Sequence, residues 1–433
     1  MENDQRNKDL QEKDISRREF LEKSVYVAGG VAAMGLWSGN AAAEASSKSG
    51  LDLIAPTFEE SPTYLAHYES SERARKICKD AIIIDTLYSA VYPLQWKNDD
   101  QFGPVMAECK AAGMNVLGIC SSADVAGSDP KSVFGAARFY YKKIFENQDK
   151  YLLVRSTDDI RKAVKEGKMG IYLTHQGTNV FQGDVDNVAL MKAMGFGYCL
   201  LVYNNKNAVG GGIADKEDTG LTAYGRKLIA AYNRYGMVVD VNHTGNKTAL
   251  DACEVSTRPV IFSHSGAKGV FPSFRNMTDE LIMAIAKTGG SCHVFGTGAY
   301  IDPANPAVVG PEIIFKHIDY MVQLIGNADH VGYGSDFIPD MNKTMELVMS
   351  KASAYPDMGM KQGTTKKAIE MYGPTANPAR ILPALVDQML DHGYQEEDIY
   401  KILGGNIMRV FDACWGGADV EIVEPPAFHE DWR

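Results

Sequence analysis

Gly-Met-Val-Val-Asp-Val-Asn-His at 236–243 is followed by Arg-Pro-Val-Ile-Phe-Ser-His-Ser at 258–265 and by Phe-Pro-Ser-Phe-Arg-Asn-Met-Thr-Asp-Glu at 271–280. Two short apolar runs, 237–241 and 259–262, each give way to a polar residue and a histidine. Runs of this length, rich in valine and isoleucine, read as buried strands. The stretch between them, 246–256, has the length and composition of a helix. The unit is therefore β-α-β, with a histidine at the exit of each strand. In a parallel barrel the active site lies at the C-terminal ends of the strands. Imidazoles projecting there from adjacent strands can share one metal ion. Each histidine taken alone reads more simply as a hydrogen-bonded cap on its strand. Their repetition at the same place in consecutive units favours the metal.

Six further apolar runs follow the same pattern: Ala81–Asp85, Met114–Cys120, Gly170–Thr174, Tyr198–Tyr203, Gly290–Phe295 and Val331–Asp336. Between them lie helical stretches at about Ser70–Lys79, 132–148, 157–166 (capped by Ser156 or Thr157), 184–194, 222–234 and 312–325. Eight strands alternating with helices predict an α/β chain of (β/α)8 TIM-barrel class over 81–340. An N-terminal arm and helix at 46–80 precede the barrel. Residues 341–433 read as a helical extension wrapped on its outside.

The whole chain has 433 residues, 45% of them hydrophobic and 23% charged, an ordinary globular balance. Its formal net charge of −11 points away from nucleic acid and from anionic membrane surfaces. Residues 1–45 stand apart. Arg17-Arg18 followed by Phe20-Leu21 and Lys23, a Gly-rich apolar run from Val25 to Trp37, and Ala41-Ala42-Ala43 together resemble a cleaved twin-arginine export signal. The alternative, an arginine pair beside a short membrane anchor, sits poorly with so weak an apolar run. The expectation is export through the twin-arginine machinery to a periplasmic or secreted location. No later run reaches the roughly 20 apolar residues of a stable membrane span. Seven scattered cysteines, none in a C-x-x-C pair, fix no disulfide pattern. Self-association as a homodimer is left open.

The expected strand exits carry the chemistry. The first ends Asp85-Thr86-Leu87-Tyr88-Ser89, the third His175-Gln176-Gly177, the fourth Tyr203-Asn204, the fifth and sixth His243 and His264, and the eighth Asp336. Two histidines and an aspartate make a single metal site. Asp336 instead suits the role of proton acceptor from a metal-bound water, or of a helix cap. Arg275 suits a bidentate clamp on a substrate carboxylate, or a salt bridge to Asp279.

Taken together, several of these stretches resemble the membrane (renal) dipeptidase family of zinc peptidases. The resemblance runs from about Ile82 to Phe411. It is carried by Gly220-Leu221-Thr222-x-Tyr224-Gly225-Arg226, Asn233-Arg234-x-Gly236-Met237-Val238-Val239-Asp240 and Pro259-Val260-Ile261-x-Ser263-His264-Ser265. It continues with Arg275-Asn276-Met277-Thr278-Asp279-Glu280, His330-Val331-Gly332-x-Gly334-Ser335-Asp336-Phe337 and Gly405-Asn406-x-x-Arg409-Val410-Phe411. It implies a barrel holding two bridged zinc ions, which hydrolyses dipeptides whose free carboxylate is held by an arginine. This chain departs from the family at that centre. The His-x-Asp pair expected after the first strand falls on Leu87 and Ser89. The bridging glutamate falls on Gln176, whose neutral amide cannot supply the charge that lets two dications sit about 3.5 Å apart. A substrate-contacting histidine falls on Tyr203. His243, His264, Asp336 and Arg275 remain, so one zinc ion is expected and not two. His175, beside Gln176, is a further candidate ligand, although strand alternation turns it the other way. The expected activity is hydrolysis of a dipeptide or small peptide-derived substrate with a free carboxylate. Changed chemistry in natural-product maturation, and carboxylate binding without catalysis, are the alternatives.

Overall fold

All eight apolar runs are strands, and all pair in parallel. The computed structural model describes residues 68–89, 102–124, 130–301, 309–338 and 376–415. The export signal, the arm before Tyr68 and residues 341–375 lie outside the described residues. The barrel strands are β1 (Ile83–Tyr88), β2 (Met114–Ala123), β4 (Met169–Gln176), β5 (Phe196–Leu200), β6 (Val238–Asp240), β7 (Val260–Ser265), β8 (Ser291–Val294) and β9 (Val331–Tyr333), neighbours in that order. The seam between β9 and β1 is drawn together just past β9, where Asp336 N donates to Leu87 O at 2.9 Å. A short extra strand, β3 (Tyr151–Leu153), pairs with the part of β4 that β5 does not reach. Three residues are too few for periodicity to reveal, and β3 was not anticipated.

Thirteen described helices accompany the strands: α1 (Glu72–Asp80), α2 (Phe102–Ala111), α3 (Pro130–Glu146), α4 (Thr157–Lys165), α5 (Asn187–Ala193), α6 (Ala223–Tyr235), α7 (Asn246–Val255), α8 (Asp279–Lys287), α9 (Gly298–Ile301), α10 (Pro311–Ile325), α11 (Pro378–Asp391), α12 (Glu396–Tyr400) and α13 (Asn406–Trp415). Their ends are written in the sequence. Ser156 and Asp159 close a capping box on α4. Thr222 caps α6 through Gly225 N, and α6 stops at Gly236, whose φ of 74° suits glycine. Thr278 caps α8 through Leu281 N, with Asp279 and Glu280 in the first turn. Pro311 opens α10 and Gly326 ends it.

Apolar side chains form two cores. The larger lies between strands and surrounding helices. The smaller fills the barrel floor, where Ile84, Val116, Tyr172, Tyr198, Leu200, Val238 and Ile261 meet Ile407, Val410, Phe411 and Trp415 of α13. The C-terminal extension is thus more than the outer wrapping expected. α11 lies outside, its buried face against α10 and α1, but α13 plugs the barrel from below. Phe411 and Trp415 stack with centroids 3.8 Å apart, and both meet Tyr172 edge-on. Truncating Phe411 to alanine should cost about 3–5 kcal/mol, a large share of a typical domain's stability. Above the plug, Tyr172 and Tyr198 both donate to Thr86 O, at 3.1 and 2.6 Å. This polar layer separates the apolar floor from the open strand exits.

Candidate active site at the strand exits

His243 and His264 leave β6 and β7 side by side, and their Nε2 atoms converge to 3.2 Å. Each ring is held from behind. His243 Nδ1 lies 2.6 Å from Asn204 Oδ1, and His264 Nδ1 lies 2.8 Å from Ser263 Oγ. An amide oxygen can only accept, so the proton of His243 sits on Nδ1 and its Nε2 is an acceptor. Tyr203 lies flat on the His243 ring, centroids 4.3 Å apart and planes 25° apart. Both imidazoles are buried. That burial, and then the nearby Arg275 cation, push their pKa values well below the ordinary range, so both are neutral near pH 7.

Arg275 is 3% exposed and completes this cluster. Its Nη1 donates to Asn242 Oδ1 at 3.0 Å, and its Nη2 donates to His243 Nε2 at 3.1 Å. The rings of Phe295 and Tyr300, stacked on each other with centroids 6.1 Å apart, lie to one side of the guanidinium, each 5.8 Å away. The alternative partner considered for it, Asp279, instead accepts the Tyr320 hydroxyl at 2.9 Å. Asn242 is the hub: its Oδ1 also accepts from His243 N at 2.7 Å, and its Nδ2 donates to His264 O. Asp240 Oδ1, below, accepts from Asn242 N and Ser263 N.

Asp336 stands across the mouth, past β9. Its Oδ1 accepts from Ser89 Oγ at 2.5 Å and its Oδ2 from Thr297 Oγ1 at 3.4 Å. It keeps some contact with solvent but lies deep among packed atoms. That burial raises its pKa to about 6, against the opposing pull of Ser89, Arg275 and Thr297. Leu87 and Gln176 are both buried at the ends of β1 and β4. His175 turns away, as strand alternation requires: its Nε2 lies 3.3 Å from Asp124 Oδ1, and Asp124 also accepts from Thr178 N and Asn179 N. His175 thus belongs to the wall of the loop after β4, and the structure does not place it as a ligand.

Four non-glycine residues have positive φ among those described, and three of them are in this site: Asn204 (59°), His243 (59°) and Asp336 (50°). Left-handed backbone costs such residues on the order of 1 kcal/mol each and persists where surrounding bonds enforce it. Here Ala214 N donates to Asn204 O and Ile213 N to His243 O, so the loop before α6 clamps both. Gly212 must be glycine for that loop to close, because a Cβ there would stand 2.0 Å from Asn204 O.

The membrane dipeptidase family model (peptidase family M19) matches residues 71–362. The chain belongs to this family. An uncharacterized dipeptidase of Schizosaccharomyces pombe is 32% identical over 296 residues, 67% of this chain and 63% of that protein. Dipeptidase ataJ of Aspergillus terreus is 27% identical, over 62% of this chain and 64% of that protein. The chain thus spans somewhat less than two thirds of these relatives. An amidohydrolase from Pseudomonas aeruginosa shares the fold with a TM-score of 0.68 at 26% identity, over 79% of this chain and 99% of that one.

Members of the M19 family are metal-dependent (zinc) peptidases. A bridged pair of ions does not fit this site. Leucine offers no donor, and a serine hydroxyl and an amide bring no charge. Among the described residues no three His, Cys, Asp or Glu side chains gather to hold a metal, so the expected set of His243, His264 and Asp336 is not assembled either, and only the two histidines converge. A single ion fits better. At the Zn–N distance of about 2.0–2.1 Å, a tetrahedral ion spaces two ligand nitrogens by roughly 3.3 Å, and the two Nε2 atoms lie 3.2 Å apart. It fits only if Arg275 leaves His243 Nε2.

Of the residues expected from sequence, Tyr203, His243, His264 and Arg275 are in direct contact, and Asp336 joins them through the field of Arg275. Asn204, Asn242, Ser263 and Thr297 went unread as site residues. For Asn242 and Ser263 the signal was present, since each immediately precedes a site histidine.

Proposed function

We propose that this M19 chain is a dipeptidase-like hydrolase for a dipeptide or small peptide-derived substrate with a free carboxylate, working with one zinc ion and not two. The observation that carries the reading is the buried Arg275 guanidinium, 3.1 Å from one of two histidines whose Nε2 atoms converge. Arg275 offers two parallel N–H donors, the geometry that suits a carboxylate. Asp336, with its pKa near 6, is poised to accept a proton from the attacking water at neutral pH. His243 and His264 would hold the ion, which supplies a charge to polarise the scissile carbonyl. Tyr203, against His243, would line the substrate side. The test is hydrolysis of paired dipeptides with free or amidated C-termini. Faster turnover of the free acids is expected, with the preference lost in Arg275→Ala. Equal turnover of both forms refutes the carboxylate clamp.

A second reading is favoured by Leu87, Ser89 and Gln176 at the ligand positions: an exported member with changed chemistry, as in natural-product maturation, or a carboxylate-binding protein without catalysis. Binding of N-acetyl amino acids through Arg275, with no hydrolysis of any dipeptide, would select it. For the location we propose twin-arginine export. Arg17→Lys with Arg18→Lys should hold the unprocessed precursor in the cytoplasm, and normal yield of processed periplasmic protein would refute that.

A further inference from the structure

We propose that Arg275 and a metal ion compete for one atom, His243 Nε2, so that a ligand carboxylate and the metal bind this site cooperatively. The inference rests on the reading of Arg275 as a carboxylate clamp and adds a control on metal occupancy.

A neutral imidazole has one lone pair. Asn204 Oδ1, 2.6 Å from His243 Nδ1, fixes the proton there and leaves that lone pair on Nε2. Arg275 Nη2 donates into it at 3.1 Å. A guanidinium does not lose its proton under ordinary conditions, so while it stays there His243 cannot also ligate a cation. The arginine is placed for exchange. Nη1 is anchored on Asn242 Oδ1 at 3.0 Å, and the guanidinium carbon lies 5.8 Å from the ring centres of both Phe295 and Tyr300, which stack on each other to one side of it. A carboxylate offers charge-assisted bonds, stronger than the bond to a neutral ring. Drawing Nη2 onto a carboxylate frees His243 Nε2 beside His264 Nε2, already at a spacing that suits one ion. By linkage the effect is mutual: whatever factor the carboxylate adds to metal affinity, the metal adds to carboxylate affinity.

The test is a Co(II) titration of the metal-stripped protein, read by visible absorption, with and without saturating N-acetyl-L-alanine as the carboxylate probe. In the wild type the probe should raise Co(II) affinity at least tenfold. Arg275→Gln and Arg275→Met should bind Co(II) at least tenfold more tightly than wild type without the probe, and should not respond to it. That second result also excludes direct ligation of the cobalt by the probe. A wild-type affinity that the probe leaves unchanged overturns the proposal without relying on any variant, as does an Arg275→Gln affinity no higher than wild type. Absence of Co(II) binding in every protein is a different failure, which removes the single-metal reading and this inference with it. His243→Ala is the control that must lose the metal in all conditions.

Discussion

Ser89 donates its hydroxyl to Asp336 at 2.5 Å across the barrel seam, between the residue that follows β1 and the third residue past β9. In the family resemblance the Ser89 position belongs to a metal-binding aspartate. Here a neutral donor supports the carboxylate opposite it. The bond favours the ionised form of Asp336, while burial, the larger influence, raises its pKa to about 6. The acid limb of kcat/KM for dipeptide hydrolysis should therefore fall near pH 6. Ser89→Ala removes the stabilising donor and should move the limb to higher pH with little change on the plateau. Asp336→Asn should abolish turnover. A profile without an acid limb between pH 5 and 8 would remove Asp336 as the proton acceptor.

Metal content follows from the ligand set. Protein purified without chelators should carry at most one firmly bound transition-metal ion per chain, and His243→Ala should lose it. Elemental analysis finding two per chain in the wild type would refute the reading of Leu87, Ser89 and Gln176.

The barrel was legible because each strand is an apolar run closed by a polar exit, and because the helix ends carry caps such as Ser156, Thr222, Thr278 and Pro311. The extra strand β3 escaped because three residues show no period. The plugging by α13 escaped because its apolar face reads the same against a barrel floor as against a barrel wall. At the site, residue types and strand-exit positions identified His243, His264, Arg275 and Asp336. No local pattern encodes the tertiary bonds among them, so the hold of Arg275 on His243 and the support from Asn204 and Asn242 were invisible. The left-handed backbone at Asn204, His243 and Asp336 was equally hidden, since none of them is glycine.

Stability should depend on pH through two carboxyls under the site. Burial raises Asp85 and Asp240 to about 7, against the hydrogen bonds each accepts. Asp240 Oδ2 is buried with no hydrogen-bond partner, which penalises the charged form. The folded pKa lies above the unfolded value of about 3.9, so the folded state binds more protons between them. The stability these two groups contribute is fully present below about pH 4 and is lost as pH rises through about 7. Urea unfolding at pH 5 and pH 8 should show wild type losing about 2–3 kcal/mol more than Asp240→Asn, because asparagine mimics the neutral acid at both. Equal losses would mean that Asp240 is ionised throughout.

Restoring the family's ligands tests whether their loss limits the chemistry. Leu87→His, Ser89→Asp and Gln176→Glu together put back an imidazole and two carboxylates around the mouth that already holds His243 and His264. A bridging carboxylate is what allows two cations to approach to about 3.5–4 Å, so Gln176→Glu is the indispensable change. Alone it adds a buried charge with no cation to pair with, and it should destabilise the fold and leave activity unchanged. Leu87→His alone should likewise add no ion, since one new ligand completes no second site. Ser89→Asp alone faces Asp336 where Ser89 now donates, and two carboxylates without a cation repel. The three together should raise the metal count from one to two per chain and dipeptide hydrolysis by at least tenfold. A wild type that already hydrolyses dipeptides at rates typical of metallopeptidases would sink the single-ion argument. A triple variant that binds two ions with no gain in turnover would show that the limit lies elsewhere, with the Tyr203 position the next to change.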